Sequence, residues 1–283
     1  MIAYKKCIEV DINHVYDAFR IGFSDYMIHQ DISLELFAKR FFGPEGNKLD
    51  LSFIAFDDNE PIGLILGGMK EYEGIRTLRC GALCINPIYR GKGISKKLFD
   101  LHQEAAIENG CKQLFLEVIV GNDRAIKFYR NLGYEKIYDL SYFSHENPSM
   151  ITMPYLQPNR IEELNMESLR ALQPEVYNIH INWQNDFDYL DYLNEVVHYG
   201  IYNDKELVGA LSILKSGKIS FLWIRPSYRG VGIGRVLLGH AVKKLSLTKI
   251  TINFPNNAGL EGFIKHLGFK RDAISQYEMY RTL

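Results

Sequence analysis

The chain has 283 residues, a formal net charge of −1 and 47% hydrophobic residues. That length suits two domains of ordinary size, and the apolar fraction allows each to bury a core. The near-neutral charge excludes a global basic field, so nucleic acid is not an expected partner. The four cysteines have no paired metal-ligand spacing and the histidines form no visible ligand set. We therefore expect reduced, buried thiols and no metal.

The amino terminus, Met-Ile-Ala-Tyr-Lys-Lys, lacks the long apolar stretch of a secretory leader. No run of the sequence approaches the length that spans a membrane. We expect a cytoplasmic protein without membrane contact.

The first half predicts alternating strands and helices. In chain order these are a strand at 3–9, helical segments over 12–42, strands at 51–57, 62–72 and 78–86, a helix from 94 to 110, a strand at 113–120, a helix at 122–132, and strands at 134–145 and 150–155. The helix after residue 94 follows from Ile94, Leu98 and Leu101 at helical spacing. Asp31 or Ser33 is a plausible cap inside the early helical region.

The second half repeats this order in a leaner form. It predicts helices at 166–172 and 187–197, strands at 197–202, 206–214 and 219–224, a helix from 233 to 245, a strand at 249–254 and a short helix ending at 268. Residues 155–160 read as a linker because Pro154 and Pro158 break regular pairing. A repeat at this period indicates a duplicated domain, with boundaries at 1–155 and 160–283.

One glycine-rich turn occurs twice in the sequence. Residues 89–95 read Tyr-Arg-Gly-Lys-Gly-Ile-Ser, and residues 228–234 read Tyr-Arg-Gly-Val-Gly-Ile-Gly. Each copy follows an apolar run ending in proline and precedes a predicted helix. A glycine turn exposes backbone N–H groups and a helix amino terminus adds a positive dipole. The sequence therefore predicts two sites for a phosphate-bearing cofactor.

Both halves resemble the GNAT superfamily of acyl-CoA-dependent N-acyltransferases. The loops at 90–95 and 229–234 match its Gln/Arg-x-x-Gly-x-Gly/Ala pattern, with Ser95 as the one departure. The second match is the family's Asn-x-x-Ala-x-x-Phe-Tyr-x-x-x-Gly-Phe/Tyr segment, in the residues Asn122, Ala125, Phe128, Tyr129, Leu132, Gly133 and Tyr134. In the second half, Asn257 aligns with Asn122, and Ile264 aligns with Tyr129. A dinucleotide-binding oxidoreductase is excluded because the glycine spacing and the following acidic residue are absent.

The resemblance implies acetyl-CoA as the cofactor and assigns its contacts. In the first half these would be Leu83, Cys84, Ile85, Arg90, Gly91, Lys92, Gly93, Ile94, Ser95, Asn122, Ala125, Phe128 and Tyr129. In the second half they would be Ile224, Arg229, Gly230, Val231, Gly232, Ile233, Gly234 and Asn257. The strand before the loop would splay from its neighbour, offer amides and stabilise the oxyanion that forms during acyl transfer. Lys92, Lys96 and Lys97 add positive charge around the first turn.

The resemblance also implies catalytic roles. Tyr129 would be the general acid that protonates the departing thiolate, and Ile264 cannot take that role. We therefore expect catalysis in the first half and a degenerate second half, with Tyr277 or Tyr280 left open as an acid there. Glu117 is the candidate general base, with Glu71 and Glu73 as alternatives.

The acceptor is expected to be a primary amine on a small molecule or a peptide. Asp25, Tyr26 and His29 are candidates for lining its cleft, although the same aromatic-rich segment suits a core. A non-catalytic acetyl-CoA sensor or interaction module remains the competing function. The expected architecture is two mixed α/β (α+β) domains, each a twisted, mostly antiparallel sheet flanked by helices, in a monomer or homodimer. Whether the two copies exchange terminal strands stays open.

Overall fold

The computed structural model describes residues 1–28, 31–152 and 160–283, which fall into two compact units. The first unit comprises Met1–Ile137 together with Tyr277–Leu283, and the second comprises Tyr138–Gln276. These bounds differ from the expected domains at 1–155 and 160–283. The physical reason is that two strands each begin in one unit and continue in the other. The expected linker lies almost entirely outside the described residues.

The first half of the chain contains six strands and four α-helices among the described residues. They are β1 (Ile2–Lys6), α1 (Ile12–Gly22), α2 (Leu34–Phe41), β2 (Asn47–Asp57), β3 (Glu60–Tyr72), β4 (Ile75–Ile85), α3 (Ile94–Glu108), β5 (Gln113–Ile119), α4 (Asp123–Asn131) and β6 (Glu135–His145). Polar side chains cap both early helices: Asp11 accepts from Asn13 N, and Ser33 accepts from Leu36 N. The sequence offered Asp31 or Ser33 as a cap in this region, and Ser33 is the one that caps α2.

The second half contains the remaining elements. They are β7 (Arg160–Leu164), α5 (Met166–Arg170), α6 (Gln173–Val176), α7 (Phe187–Asp191), β8 (Val196–Asn203), β9 (Glu206–Leu214), β10 (Lys218–Ile224), α8 (Ile233–Lys244), β11 (Ile250–Pro255), α9 (Ala258–His266) and β12 (Lys270–Thr282). The strands β7 and β12 and the helix α6 were not predicted. At 150–155, where a strand was expected, Pro148–Met150 form a 3-10 turn, and residues 153–155 lie outside the described part.

In the first unit the strands follow the order β1-β2-β3-β4-β5, with β12 beside β5. Every pair from β1 to β4 is antiparallel, whereas β4 and β5 are parallel. Side chains of α3 and α4, such as Leu98, Phe99 and Ile126, pack on one face of the sheet. Phe19 of α1 and Phe37 of α2 pack on the other.

In the second unit the order is β6-β11-β10-β9-β8-β7, again with one parallel pair, β10 and β11. Leu237, Leu238 and Ile264 of α8 and α9 pack on one face. Residues of α5 to α7, such as Leu169 and Phe187, pack on the other. Each unit therefore has the expected mixed α/β architecture.

Two strands account for the bounds of the units. β6 follows α4 but pairs with β11 from His145 to Leu140, which lies in the second unit. β12 follows α9, but its last residues pack in the first unit, where Met279 is fully buried. The terminal strands are thus exchanged between the copies. Within the described residues, no helix combines the length and the hydropathy needed to cross a lipid bilayer.

Candidate active site

The glycine loop of the first unit joins β4 to α3. A 3-10 turn at Pro87–Tyr89 is followed by Gly91 and Gly93 at φ 77° and 82°, in the left-handed region where glycine is favoured. Helix α3 begins directly after Gly93, and its first intrahelical bond runs from Lys97 N to Gly93 O at 3.1 Å. The amides between these residues have no partner within the helix. A Cβ added at either glycine would meet nothing within 4 Å, so the loop can receive a ligand phosphate.

The loop of the second unit repeats this geometry between β10 and α8. Gly230 and Gly232 have φ 80° and 96°, and Val236 N donates to Gly232 O at 3.0 Å. Gly234 differs from its counterpart Ser95, because a Cβ there would lie 2.9 Å from Cζ of Phe263. This glycine therefore serves the close packing of α8 against α9, and no such requirement applies at Ser95.

Each loop lies at the open end of a parallel strand pair. The β4–β5 ladder ends at Cys80 and Leu116, and beyond that pair the strands diverge. The β10–β11 ladder ends even earlier, at Ile219 and Ile252. The expected splay is therefore present in both units. Diverging strands leave backbone groups unpaired and open a cleft between them.

The first cleft is a small cavity of about 180 Å³. It brings together most of the predicted cofactor contacts of this half: Leu83, Cys84, Ile85, Arg90, Gly91, Ile94, Ser95, Asn122, Ala125, Phe128 and Tyr129. The predicted contacts Lys92 and Gly93 do not line it. Asn122 also has a structural role, because its Oδ1 caps α4 by accepting from Ala125 N at 3.3 Å.

Tyr129, the predicted general acid, lines this cavity and is buried, with 8% of its surface exposed. Burial raises its pKa well above the usual value, with further contributions from Cys80 and Tyr134. Burial likewise raises the pKa of the nearby Cys80 thiol, to about 12. A phenol in this environment stays protonated at neutral pH, so it has a proton to donate.

Of the residues expected to line an acceptor cleft, Tyr26 lines this cavity, and Asp25 pairs with a residue that lines it. Asp25 forms an ion pair with Arg90 of the glycine loop, with Nη2 to Oδ1 at 2.6 Å. Tyr26 lines the cavity together with Asn122. Burial raises the pKa of Tyr26, and the nearby Asn122 side chain opposes that rise. His29 lies outside the described residues.

The predicted base Glu117 is not at the cavity, and this corrects the sequence interpretation. Its side chain is 3% exposed, and its Oε2 accepts from Arg79 Nη2 at 2.6 Å and from Nε at 3.1 Å. The same guanidinium donates to Glu45 at 2.9 Å. Two carboxylates thus hold one buried arginine, whose pKa stays above its usual value despite burial. Glu117 belongs to this buried charge cluster, and we do not retain it as a base.

The alternatives named with these residues do not line a cavity either. Glu71 and Glu73 are absent from the linings of both cavities, as are Tyr277 and Tyr280. Both tyrosines belong to the first unit, not the second, because β12 ends there. Around the first loop, Lys92 lies over the ring of Tyr89 at 4.6 Å, and Lys96 pairs with Asp100. Among the described residues, no group of histidine, cysteine and acidic side chains could hold a metal ion.

The second cleft is a much larger cavity of about 940 Å³. All the predicted cofactor contacts of this half line it: Ile224, Arg229, Gly230, Val231, Gly232, Ile233, Gly234 and Asn257. Such a volume is within the range of cavities that hold cofactors and small molecules. Ile264, at the position of Tyr129, is fully buried in the core and offers no proton. Asn257 caps α9 by accepting from Leu260 N at 3.0 Å, as Asn122 caps α4.

Sequence reasoning missed four polar residues of this cavity. Asn182, Asn185, Ser220 and Asn253 all line it, and each is more than nine-tenths buried. Ser220 lies in β10, Asn253 lies in β11, and Asn182 and Asn185 lie in the chain between α6 and α7. None of them belongs to a recognisable motif. The only available signal was polar residues beside apolar ones, in Ile-Asn-Trp and Ile-Asn-Phe. That pattern is too common to identify a site.

With the fold and both loops described, the relationship to known proteins can be stated. The chain matches the acetyltransferase (GNAT) family over residues 13–134 and 159–269, and it belongs to that family. N-alpha-acetyltransferase 30 of Saccharomyces cerevisiae is 34% identical over 91 residues, or 30% of this chain and 52% of the relative. Its namesake in Schizosaccharomyces pombe is 33% identical over 94 residues, or 31% of this chain and 62% of the relative. The chain thus spans between half and two thirds of these relatives' lengths.

Solved structures support the same fold over the whole chain. A tandem GNAT protein from the clavulanic acid biosynthesis pathway has a TM-score of 0.71 at 13% identity, covering 100% of this chain and 98% of its own. A GCN5-related N-acetyltransferase from Sphaerobacter thermophilus has a TM-score of 0.69 at 12% identity, covering 99% and 95%. At these identities the likeness concerns the fold alone. It agrees with two GNAT domains in one chain.

Proposed function

We propose that the protein is an acyl-CoA-dependent N-acetyltransferase that transfers an acetyl group from acetyl-CoA to a primary amine, with its chemistry in the first unit. The observation that carries the proposal is the position of Tyr129, a protonated phenol that lines the cavity between the strand splay and the glycine loop. No equivalent hydroxyl stands at Ile264 in the second unit. Membership of the GNAT family supports the reaction class.

Bound acetyl-CoA would supply the activated thioester. The amides of the loop from Gly91 onward would hold its pyrophosphate, and those amides of Leu83 to Ile85 that face the splay would donate to the acyl carbonyl. As the amine attacked and the carbon–sulfur bond broke, the Tyr129 hydroxyl would give its proton to the departing sulfur. The amine nitrogen would release a proton to solvent, since no carboxylate lines this cavity among the described residues, and the Tyr129 phenolate would take a proton back from solvent.

The acceptor belongs to the same proposal. The relatives that match part of this chain are named for acetylation of alpha-amino groups. That name favours a peptide amino terminus over other primary amines, including those of small molecules. Asp25, which pairs with Arg90 of the loop, and Tyr26, which lines the cavity, are the residues we propose to contact the acceptor.

Thiol release from acetyl-CoA across a panel of amines and short peptides tests this function. The wild type should release thiol with at least one acceptor, and Tyr129→Phe should reduce kcat by about a hundredfold at nearly unchanged cofactor affinity. A Tyr129→Phe enzyme with wild-type kcat would exclude the assigned acid. Matched loop variants, Gly93→Asp and Gly232→Asp, assign the activity to a unit, because each places a carboxylate where a phosphate would bind.

A second candidate function is a non-catalytic acyl-CoA sensor, and the second unit favours it. Its cavity is the larger of the two, and it has Ile264 in place of the acid. Calorimetric titration of acetyl-CoA distinguishes the two functions. Binding that Gly232→Asp abolishes, without thiol release under any acceptor, would support the sensor. Turnover that only Gly93→Asp abolishes would support the enzyme.

A further inference from the structure

The tyrosine that precedes the arginine of each glycine loop makes the same kind of contact in both units. Tyr89 OH donates to Oδ2 of Asp57 at 3.1 Å, and Tyr228 OH donates to Oε2 of Glu206 at 3.1 Å. The two partners are 32 positions apart in the first unit and 22 in the second. Each bond therefore ties the start of a glycine loop to a distant part of its own unit. No step of the proposed reaction uses either bond.

Both carboxylates lie at the tip of a β-hairpin. The hairpins are β2–β3 and β8–β9, and the last antiparallel pair of each is Asp57 with Glu60, and Asn203 with Glu206. The two turns have the same backbone geometry at their first residue, because Asp58 has φ 52° and Asp204 has φ 53°. Aspartate is among the few residues that tolerate this left-handed conformation. The hairpin tip is thus a defined structure in both units.

The carboxylate comes from different members of this last pair in the two copies. Asp57 ends the first strand of its hairpin, whereas Glu206 begins the second strand. The position of Asp57 is occupied by Asn203 in the second unit, and Asn203 Nδ2 donates to Tyr228 OH at 3.0 Å. Shared descent of the copies explains the tyrosine, but it does not explain a carboxylate supplied from two positions. The contact itself has been kept, and this indicates that the loop requires it.

The start of the first loop is held on two sides. Tyr89 reaches the hairpin tip, and Arg90 Nε donates to the carbonyl of Ile85 at 3.1 Å. Gly91 and Gly93 follow at positive φ, and glycine has more backbone freedom than any other residue. A loop that is fixed at its start loses less of this freedom when a ligand binds. Such preorganisation strengthens binding without a new contact to the ligand.

The protonation states favour the bond at neutral pH. The bond to Tyr89 is the main cause that lowers the pKa of Asp57, and the same bond is the main cause that raises the pKa of Tyr89. The phenol therefore donates to an ionised carboxylate, and such bonds are stronger than those between neutral groups. Nζ of Lys92 lies over the Tyr89 ring at 4.6 Å. A second residue of the loop thus rests on the ring that Asp57 holds.

We propose that Tyr89 is a positioning residue for the cofactor loop of the first unit. Asp57 holds its hydroxyl, and the fixed tyrosine sets the segment from Arg90 to Gly93 in the conformation that binds a pyrophosphate. Tyr89 acts through the loop, whose backbone amides contact the ligand. This inference rests on the proposed function, because it takes acetyl-CoA as the ligand of the first unit.

Calorimetric titration of acetyl-CoA into the full-length protein tests the role, on a Gly232→Asp background that restricts binding to the first unit. Tyr89→Phe removes the hydroxyl and keeps the ring. Asp57→Ala removes the carboxylate, and Asp57 does not line the cavity, so this variant changes no group that contacts the cofactor. The double variant completes the cycle. Thiol release gives kcat for each protein, and urea unfolding checks that each is folded.

Two control variants match these changes. Tyr16→Phe also removes a tyrosine hydroxyl, one that donates to the carbonyl of Ile32 at 2.7 Å. Asp58→Asn removes a carboxylate that pairs with the Met1 amine, as Asp57 does, but that makes no bond to Tyr89. Both controls should bind acetyl-CoA with the Kd of the background protein.

Tyr89→Phe and Asp57→Ala should each raise the Kd for acetyl-CoA by about three- to tenfold, the ratio that one lost hydrogen bond gives. The double variant should bind as either single variant does, because both changes remove the same bond. At saturating acetyl-CoA, kcat should stay within about twofold of the background protein.

An unchanged Kd in both single variants would overturn the inference. Weaker binding in Tyr89→Phe alone would also overturn it, because the hydroxyl would then contact the cofactor directly. So would a double variant whose loss of affinity is the product of the two single losses. If the background protein binds no acetyl-CoA, the proposed function fails and this inference fails with it. That result differs from binding that the variants leave unchanged, so the two failures are distinguishable.

Discussion

The Asp25 carboxylate accepts hydrogen bonds from both terminal nitrogens of the Arg90 guanidinium, at 2.5 and 2.6 Å. The hydrogen bond to Arg90 lowers the pKa of Asp25, and the same bond raises the pKa of Arg90. Arg90 also donates to the carbonyls of Ile85 and Gly22. At the matching position of the second unit, Arg229 donates to Ile224 O. The loop expected to bind phosphate in the first unit therefore already holds a carboxylate of its own chain.

Replacing that carboxylate should strengthen cofactor binding in the first unit. Asp25→Asn removes a negative charge beside the loop and frees Arg90, so acetyl-CoA should bind about two- to fivefold more tightly, as expected for a partly exposed ion pair. Calorimetry on a Gly232→Asp background restricts the measurement to this unit. The control Asp17→Asn removes a carboxylate that pairs with Arg20 on α1, and it should change nothing. Equal or weaker binding by Asp25→Asn would contradict competition between Asp25 and the cofactor.

The pH dependence of turnover tests the protonation state of Tyr129. Burial raises its pKa well above the usual value, so the phenol keeps its proton throughout the neutral and mildly alkaline range. Therefore kcat should not fall between pH 7 and about 10 through loss of this proton. A kcat profile that declines with an apparent pKa near 8 and loses that decline in Tyr129→Phe would contradict it.

Glu117→Gln should lower the free energy of unfolding while leaving kcat almost unchanged. The substitution leaves Arg79 with Glu45 as its remaining carboxylate in a buried place, which should cost on the order of 3 kcal/mol of unfolding free energy. Urea unfolding measures this loss. At a temperature where the variant is folded, kcat should stay within about twofold of wild type, since a catalytic base would contribute a hundredfold or more. A large kcat loss at unchanged stability would restore Glu117 as the base.

His102 should make the protein sensitive to acid. The side chain is fully buried in α3, neither ring nitrogen has a hydrogen-bond partner, and burial lowers its pKa to about 3. Below the unfolded-state pKa of about 6.5 the unfolded chain takes up a proton that the folded chain refuses. Stability is therefore lost as pH falls from about 6.5 toward 3, at up to about 1.4 kcal/mol per pH unit.

His102→Leu removes this contribution. Its unfolding free energy should fall less than that of the wild type between pH 7 and pH 5, by about 2 kcal/mol. Exposed His14→Gln is the matched control, and its pH dependence should follow the wild type. Parallel curves for His102→Leu and the wild type would show that His102 does not titrate differently on unfolding.

Exchanging one residue between the loops should affect stability unequally in the two units. Gly234→Ser places a Cβ 2.9 Å from the ring of Phe263, so it should destabilise the protein by about 1–3 kcal/mol. Ser95→Gly has no such contact to relieve, and it should change stability by less than about 1 kcal/mol. Thermal unfolding of both variants makes the comparison. Equal effects would mean that Gly234 is not required for packing of α8 on α9.

The parts of the fold that sequence predicted are those encoded locally. Glycines with positive φ and apolar residues at helical spacing lie within a few positions of one another, so both loop–helix units could be placed. Pairing of β12 was missed because its partner is chosen by contacts across the whole chain. The buried ion pair of Glu117 was missed for the same reason, since its partner Arg79 lies 38 residues away. The four buried polar residues of the larger cavity come from three distant segments, and no local pattern marks such a convergence.

The division of β12 between the units affects the order in which the protein can mature. Residues Tyr277–Leu283 complete the core of the first unit, where Met279 is fully buried. The ribosome makes them only after it has made all of the second unit. The first unit therefore cannot complete its core before the second unit has been synthesised, and until then the apolar edge of its sheet that β12 covers stays exposed. Contacts so distant in sequence slow folding, and an uncovered edge invites pairing with other nascent chains. Expression of the first half alone leaves that gap permanently unfilled.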